Sequence, residues 1–171
     1  TMTEEVMWAG RYIVAKRRGT WEYVGRTGNM TAAVILAVVD GDVLLVEQDR
    51  VPLGRRSLEL PAGLVGDSGD TESIADAAAR ELEEETGYRA GRIELLGEFN
   101  ASPGMVSESF TLVRAHDLVR TGAGGGVEGE NITVHRIALA DAPAFIAQKR
   151  AAGVGIDVKL LLLLAGQWLG A

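Results

Sequence analysis

The sequence has no cysteine and only two histidines among its 171 residues. The lack of cysteine excludes disulfide bonds and zinc sites built from thiolates, and it is compatible with a reducing compartment. Basic residues are also scarce, since 17 lysines and arginines stand against 24 acidic residues and leave a net charge of −7. A broad basic surface for nucleic acid is therefore not expected, whereas the surplus of carboxylates suits the binding of a hard cation.

Long apolar runs are missing as well. The most apolar segment, residues 157–170, includes Lys159 and Gln167. It is shorter than the roughly 20 residues that span a membrane, so it predicts a buried C-terminal helix. The first residues are acidic and lack the apolar core of a signal peptide. We therefore expect a cytoplasmic protein with neither a membrane nor a nucleic acid as partner.

Predicted strands and helices follow one another without a regular alternation. Alternating apolar residues over 8–27 predict a small antiparallel β unit, assigned to residues 1–28, ahead of one larger domain over 29–171. The elements expected in that domain are a hairpin over 32–50, a short strand over 57–65, a helix over 71–86, strands over 92–102, 107–118 and 132–139, and two C-terminal helices. This order favours an α+β fold with a mixed sheet.

The predicted helix over 71–86 contains an apolar stripe at helical spacing that includes Leu82. Asp70 or Thr71 is the expected N-cap, because short polar side chains accept hydrogen bonds from the first turn. Gly87 is the expected C-terminal residue in left-handed conformation.

On this helix Glu81 and Glu85 lie one turn apart on the same face, with Glu84 beside them. Like charges at this spacing repel one another, so the arrangement needs a reason. Convergent carboxylates on a rigid helix are ligands that Mg²⁺ prefers. Taken alone, however, the acidic run also fits an ordinary solvated helix face.

The neighbouring residues favour the metal site. The segment 66–88, GDSGDTESIADAAARELEEETGY, fits the pattern G-x5-E-x7-R-E-U-x-E-E-x-G-U, in which U is a bulky apolar residue. It resembles the Nudix box at every specified position. The resemblance implies the Nudix fold, a mixed β-sheet sandwiched between helices. It also implies Mg²⁺-dependent hydrolysis, with Mn²⁺ as a possible substitute, of a nucleoside diphosphate linked to another moiety.

The same resemblance assigns roles to the residues of the box. The implied metal ligands are Glu81, Glu85, Glu84 and the backbone carbonyl of Ala62. Arg80 and Glu72 are expected to orient the helix and its carboxylates. The spacing selects Gly66 as the box glycine, whereas many family members use the glycine of a Pro-Ala-Gly turn, here Gly63. The loop after this turn is therefore expected to be longer than usual.

Segments outside the box resemble ADP-ribose pyrophosphatases, among them VEQDR, LELPAGL, ASPGMVSE and GVEGENITVHRI. This resemblance implies a homodimer that exchanges its N-terminal strands between subunits. Tyr12 and Trp21 match the aromatic residues that stack on adenine, and Arg50 matches an arginine that contacts the phosphates. Further substrate-binding candidates by alignment are Glu59, Pro103 and Glu108.

Hydrolysis also requires a base that takes a proton from the attacking water. In the subfamily this base comes from a mobile acidic loop after the box, which corresponds here to the glycine-rich residues 120–131. Glu128 aligns with the catalytic glutamate, and Glu130 is the alternative. Five glycines between residues 122 and 129 are expected to let this loop close over the substrate.

The leading prediction is therefore Mg²⁺-dependent hydrolysis of ADP-ribose to AMP and ribose 5-phosphate. A first alternative is the same reaction on another nucleoside diphosphate sugar, such as GDP-mannose. A second is a non-catalytic Nudix domain that senses ADP-ribose. The two histidines, His116 and His135, form no motif with a nucleophile, so we expect structural roles for both.

Overall fold

The computed structural model describes residues 2–28, 30–66 and 71–170. The strands are β1 (Glu4–Ala9), β2 (Ile13–Arg18), β3 (Trp21–Arg26), β4 (Thr31–Val39), β5 (Asp42–Arg50), β6 (Arg55–Glu59), β7 (Ala62–Val65), β8 (Tyr88–Arg89), β9 (Arg92–Asn100), β10 (Ser109–His116), β11 (Val119–Arg120), β12 (Thr133–Ala138) and β13 (Gly155–Ile156). The helices are α1 (Ile74–Thr86), α2 (Ala142–Ala151) and α3 (Leu161–Leu169).

The main sheet is built around β4 and β5, two apolar strands that pair with neighbours along both edges. The strand order is β13-β6-β5-β4-β10-β9, while β12 also pairs with β5 and β7 with β4. β10 runs parallel to β4, and β13 runs parallel to β6. The remaining described pairings of this sheet are antiparallel, which confirms the predicted mixed sheet.

Helices cover both faces of this sheet. Because side chains alternate along a strand, Ile35 of β4 packs toward α1, where it meets Leu82, and Val34 packs toward the opposite face. That second face is covered by Ile146 of α2 and Leu164 of α3. The result is the α+β sandwich predicted from the sequence.

The N-terminal strands β1, β2 and β3 form their own antiparallel sheet. The β2–β3 pair agrees with the prediction, but β1 was not predicted. All six residues of β1 are exposed, so no burial pattern marks the strand. Glu4 instead forms ion pairs with Lys16 at 2.9 Å and Arg18 at 2.8 Å on β2. The subdivision after residue 28 and the exchange of this unit between subunits stay predictions.

Helix α1 begins at Ile74, later than predicted. Its N-cap is Ser73, whose Oγ accepts the backbone N–H of Asp76 at 3.1 Å. The prediction of Thr71 as the N-cap was wrong, because Thr71 precedes Ser73 by two residues. Asp70, the other predicted N-cap, lies outside the described residues. Serine, threonine and aspartate cap almost equally well, so residue type alone could not decide among them.

The C-terminal segment is less helical than predicted. Residues 155–156 form β13, a short 3₁₀ turn covers Val158–Leu160, and α3 begins only at Leu161. Leu164 is the buried residue of α3, so the helix is buried on one side and not all round. No helix in the described part of the chain combines the length and the apolar character that crossing a membrane requires.

Candidate active site

A cavity of about 770 Å³ opens between α1, the ends of β5 to β7, and the C-terminal segment. Seven of the residues predicted for the site line it: Glu81, Glu85, Ala62, Arg50, Glu59, Glu108 and Glu130. Side chains from distant parts of the sequence therefore share one space.

Glu81 and Glu85 face this cavity from α1 and are both largely buried. Burial, together with the charges of Glu81 and Glu130, raises the pKa of Glu85 to about 8. The N–H of Ala62, which donates to Glu85 Oε2 at 3.1 Å, opposes this rise. Burial also raises the pKa of Glu81, although Arg80 opposes this. The ionised forms of both carboxyl groups are thus disfavoured where little water can solvate them.

Arg80 holds the acidic residues around it in place. Its Nε donates to Glu72 at 2.9 Å, and its Nη1 donates to Glu81 at 2.8 Å and to Glu84 at 3.3 Å. Glu72 in turn accepts the backbone N–H of Gly66 at 3.2 Å. These contacts suit the orienting roles expected of Arg80 and Glu72, and they turn Glu84 toward Arg80.

Gly63 of β7 lies against Glu81 and was not recognised from the sequence as a site residue. A Cβ built on Gly63 would stand 2.0 Å from Glu81 Cδ and 2.3 Å from its Oε1. Gly66, which the box spacing selects, has a φ of 92° but open space around its missing Cβ. Gly63, the glycine of the Pro-Ala-Gly turn, is therefore the one of these two glycines that closely approaches α1.

If Glu81 binds a metal as the resemblance implies, replacing Gly63 by alanine is expected to reduce hydrolysis at least about tenfold, since disturbing the surroundings of a metal ligand typically costs 10–100-fold. The added methyl group must push the Glu81 carboxylate aside, and this flexible side chain can move without unfolding the protein. We therefore expect a nearly unchanged melting temperature and weaker activation by Mg²⁺, measured by a metal titration of the rate. Gly122→Ala is the matched control, because no atom lies within 4 Å of its added Cβ. Equal rates for the two variants would contradict this role for Gly63.

Two arginine–glutamate pairs line the cavity walls. Arg50 binds Glu59 through two hydrogen bonds, Nε to Oε1 at 2.8 Å and Nη2 to Oε2 at 2.6 Å. This contact fixes the guanidinium and leaves Nη1 as the nitrogen that can donate elsewhere. Glu108 accepts a hydrogen bond from Arg26 of β3, which connects the cavity to the N-terminal sheet. The sequence predicted Arg50, Glu59 and Glu108 singly and did not predict these pairs.

The aromatic candidates lie away from the carboxylates of α1. Trp21 and Pro103 line a second cavity of about 430 Å³ at the N-terminal sheet. Tyr12 is exposed, with the guanidinium carbon of Arg11 5.0 Å from its ring centroid. Within one chain, the aromatic candidates thus lie outside the cavity lined by Glu81 and Glu85, which we call the acidic cavity.

The glycine-rich loop 120–131 is attached to the end of α1. Gly125 N–H donates to the Glu85 carbonyl at 2.8 Å, and Gly126 N–H donates to the Glu84 carbonyl at 3.0 Å. The last carbonyls of a helix have no partner within the helix, so these bonds cap it. Glycines were expected to let the whole loop move, but in the first half of the loop they allow close contact instead.

Gly124→Ala is expected to destabilise the fold by about 2–3 kcal/mol through strain and overpacking. Gly124 has a φ of 71°, and its Cβ would lie 2.4 Å from the backbone carbon of Thr86, which cannot yield as a side chain can. Gly122→Ala in the same loop is the control and should change stability by no more than about 0.5 kcal/mol. Urea denaturation of both variants measures the difference; equal midpoints would show that the loop does not need this contact.

Glu130 and Glu128 occupy different positions on the loop. Glu130 lines the acidic cavity, and its Oε2 accepts the N–H of Val127 at 2.9 Å. Glu128 is exposed at the tip of the turn and is not among the described residues that line the cavity. In this conformation of the loop, Glu130 is therefore the acid beside the helix carboxylates.

The residues present fit a divalent cation. Glu81 and Glu85 are buried oxygen donors whose charges are only partly balanced, and oxygen donors are what Mg²⁺ prefers. Over the described ranges, no group of three or more acidic or histidine side chains is placed so that it could hold a metal ion without rearrangement. To hold a cation together, Glu81 and Glu84 would have to turn from Arg80, which now donates to both.

A family comparison agrees with this geometry. The model of the NUDIX domain matches residues 28–151, which is most of the chain. The chain belongs to the Nudix hydrolase family. The resemblance seen in residues 66–88 is thereby confirmed.

Relatives of this Nudix chain carry several names. It is 33% identical over 129 residues to a putative Nudix hydrolase 2 from Caenorhabditis elegans, covering 64% of this chain and 56% of the relative. It is 40% identical over 88 residues to an ADP-ribose pyrophosphatase from Bacillus subtilis, covering 51% and 46%. It is 36% identical over 118 residues to a GDP-mannose pyrophosphatase from Pectobacterium atrosepticum, covering 64% and 59%. The matches span about half to six tenths of these relatives' lengths.

The fold is also similar to a solved structure. A crystal structure of an ADP compounds hydrolase superposes with a TM-score of 0.73 at 25% sequence identity, covering 99% of this chain and 94% of that chain. This similarity includes the N-terminal sheet and helix α3, which lie outside the matched NUDIX domain.

Proposed function

We propose that this Nudix chain hydrolyses ADP-ribose to AMP and ribose 5-phosphate in the presence of Mg²⁺. The observation that carries the proposal is the single cavity that holds the buried carboxylates of α1, the Arg50–Glu59 pair and the loop acid Glu130. The names of relatives support nucleoside diphosphate sugars as the substrate class.

The chain's own residues bind the diphosphate and handle one proton. Arg50 is held by Glu59 so that its Nη1 can donate to a phosphate oxygen. Glu130 accepts the proton of a water whose oxygen attacks one phosphorus, and the bond from that phosphorus to the bridging oxygen breaks. The phosphate that leaves keeps the bridging oxygen, and the proton returns to solvent. Water, ADP-ribose and the two products therefore balance.

Glu81 and Glu85, with Glu84 and the Ala62 carbonyl, would hold the cation. When bound, Mg²⁺ or Mn²⁺ supplies Lewis-acid stabilisation of the negative charge on the phosphates. Arg80 and Glu72 would hold these carboxylates beside the site through their hydrogen bonds.

The adenine site belongs to the same proposal. Trp21 and Tyr12 lie outside the acidic cavity of their own chain, which suits a cytoplasmic homodimer in which a partner subunit brings them to the substrate. Analytical ultracentrifugation tests this point, since a monomer that retains full activity would exclude a cross-subunit adenine site.

A hydrolysis panel tests the function. ADP-ribose, ADP-glucose, GDP-mannose, NADH and diadenosine polyphosphates are compared with Mg²⁺ present, and the products are identified. We expect the highest kcat/KM for ADP-ribose, with AMP and ribose 5-phosphate as products, and no turnover once EDTA removes the metal. A preference for GDP-mannose would support the alternative suggested by relatives of that name. Tight binding of ADP-ribose without turnover would support a sensor.

A further inference from the structure

The C-terminal end of the cavity contains residues that the function proposed above does not use. Asp157, Lys159 and Phe110 line it together with Arg50 and Glu59. Asp157 and Lys159 lie beyond residue 151, where the match to the NUDIX domain ends. They therefore belong to this chain's own wall of the cavity and not to the part that the family model describes.

This wall is fixed to the main sheet. Strand β13 runs parallel to β6, with Ile156 opposite Leu58, and the Asp157 N–H donates to the Leu58 carbonyl at 3.1 Å. Leu58 immediately precedes Glu59, the partner of Arg50. Leu160 anchors the other side because it is fully buried in the core. Asp157 and Lys159 are thus held on rigid elements, as binding residues must be to act with specificity.

Asp157 and Lys159 form a neutral pair. The Lys159 Nζ lies 2.9 Å from the Asp157 carboxylate, and both side chains are about one-fifth exposed. The same Nζ is 5.4 Å from the ring centroid of Phe110, and that ring stacks on Phe99 at 5.9 Å. The pair offers acceptor oxygens and ammonium donors side by side, without net charge.

The pair is within electrostatic reach of the phosphate-binding arginine. Glu59, and more weakly Glu85 and Asp157, raise the pKa of Arg50. Arg50 therefore interacts with an α1 carboxylate and also with Asp157. A diphosphate bound at Arg50 would place its attached group near the Asp157–Lys159 pair.

We propose that Asp157 and Lys159 bind the hydroxyl groups of the sugar attached to the diphosphate, which is the terminal ribose in ADP-ribose. This inference rests on the proposed function. A hydroxyl group both donates and accepts, so vicinal hydroxyls satisfy a carboxylate and an ammonium at once. A further phosphate would be repelled by Asp157, and an apolar group would remove water from the ion pair without offering either side chain another hydrogen bond.

Binding of two uncleavable ligands tests the inference. ADP-ribose and ADP, each with a methylene group in place of the bridging oxygen, differ in the terminal ribose and in the additional ionisable oxygen on the terminal phosphate of ADP. Titration calorimetry is expected to show that Asp157→Asn weakens binding of the ribose-containing ligand about tenfold or more, as for loss of a charged hydrogen bond. Binding of the methylene analogue of ADP should change less than about twofold. Lys159→Met should show the same selectivity.

Both substitutions are chosen to preserve the fold. Asparagine can still accept the Lys159 N–H, which bonds to Asp157 Oδ1 at 2.9 Å, and methionine keeps the length of lysine. Asp141→Asn is the matched control, since Asp141 is exposed and lies outside the cavity-lining residues. If the variants weakened the binding of both analogues equally, or weakened the binding of neither, the proposal would be overturned and the ion pair would be purely structural.

The two proposals can fail separately. A wild-type chain that binds the ribose-containing analogue more tightly than the ADP analogue, yet does not hydrolyse ADP-ribose, would exclude the proposed function and leave the sugar site intact. Hydrolysis of ADP-ribose with no preference between the two analogues would overturn the sugar site alone.

Discussion

Replacing Glu85 by glutamine is expected to abolish hydrolysis almost completely without unfolding the protein. Glutamine keeps the shape of the side chain and an acceptor oxygen, but it removes the charge that a divalent cation requires. Metal stabilisation of phosphate charge contributes several kcal/mol, so we expect kcat/KM to fall on the order of 10³-fold.

At a pH above the pKa of about 8 that burial gives Glu85, the same substitution should leave stability unchanged or raise it by on the order of 1 kcal/mol, because it removes a buried charge. Glu85 is 5% exposed, and its neighbours Glu81 and Glu130 repel it. Thermal melting without metal measures this change. Mg²⁺ should raise the melting temperature of the wild type but not that of the variant.

Glu83→Gln on the same helix is the control. Glu83 points away from the cavity and pairs with Arg89 at 3.1 Å, so its loss should change the rate by no more than about twofold. Full activity of Glu85→Gln at the same metal concentration would exclude the metal site on α1.

Glu130→Gln is expected to have the second-largest effect, a fall in kcat of about 10²–10⁴-fold, which is the usual contribution of a general base. Glu130 lines the cavity beside the helix carboxylates, whereas Glu128 is exposed at the tip of the turn. Loss of a base lowers kcat without removing the metal ligands, so KM and the metal affinity should change little.

Glu128→Gln provides the comparison within the same loop. We expect it to retain activity within a few-fold, measured with ADP-ribose under saturating Mg²⁺. If Glu128→Gln instead loses activity and Glu130→Gln keeps it, the loop must rearrange on binding substrate, and the role implied by the family alignment would be correct.

Helix α1 could be predicted because the residue spacing that specifies it is local in the sequence. Helical spacing alone places Glu81 and Glu85 on one face and Leu82 in the core, and the structure agrees. The N-cap was misplaced because several neighbouring residues cap equally well. Strand β1 was missed because all of its residues are exposed.

The cavity walls could not be predicted from spacing, since they depend on contacts between distant segments. Residues 157–159 reach the cavity only because β13 pairs with β6, about a hundred residues earlier in the chain. The role of Gly63 likewise depends on how closely β7 approaches Glu81. The register of β5 against β6 sets Arg50 opposite Arg55 and Glu59 opposite Val46, so the Arg50–Glu59 contact depends on how the two long side chains reach along the sheet.

The hydrogen bonds from Gly125 and Gly126 to α1 limit which part of the glycine-rich loop can open locally. Segments of a native protein open in cooperative units, and a unit ends where hydrogen bonds to a stable element begin. The root of the loop shares its amide bonds with the last turn of α1, so it opens only when that turn frays. Movements of the tip that carries Glu128 and Glu130 are thereby confined to a few residues, and α1, the helix proposed to hold the cation, need not take part in them.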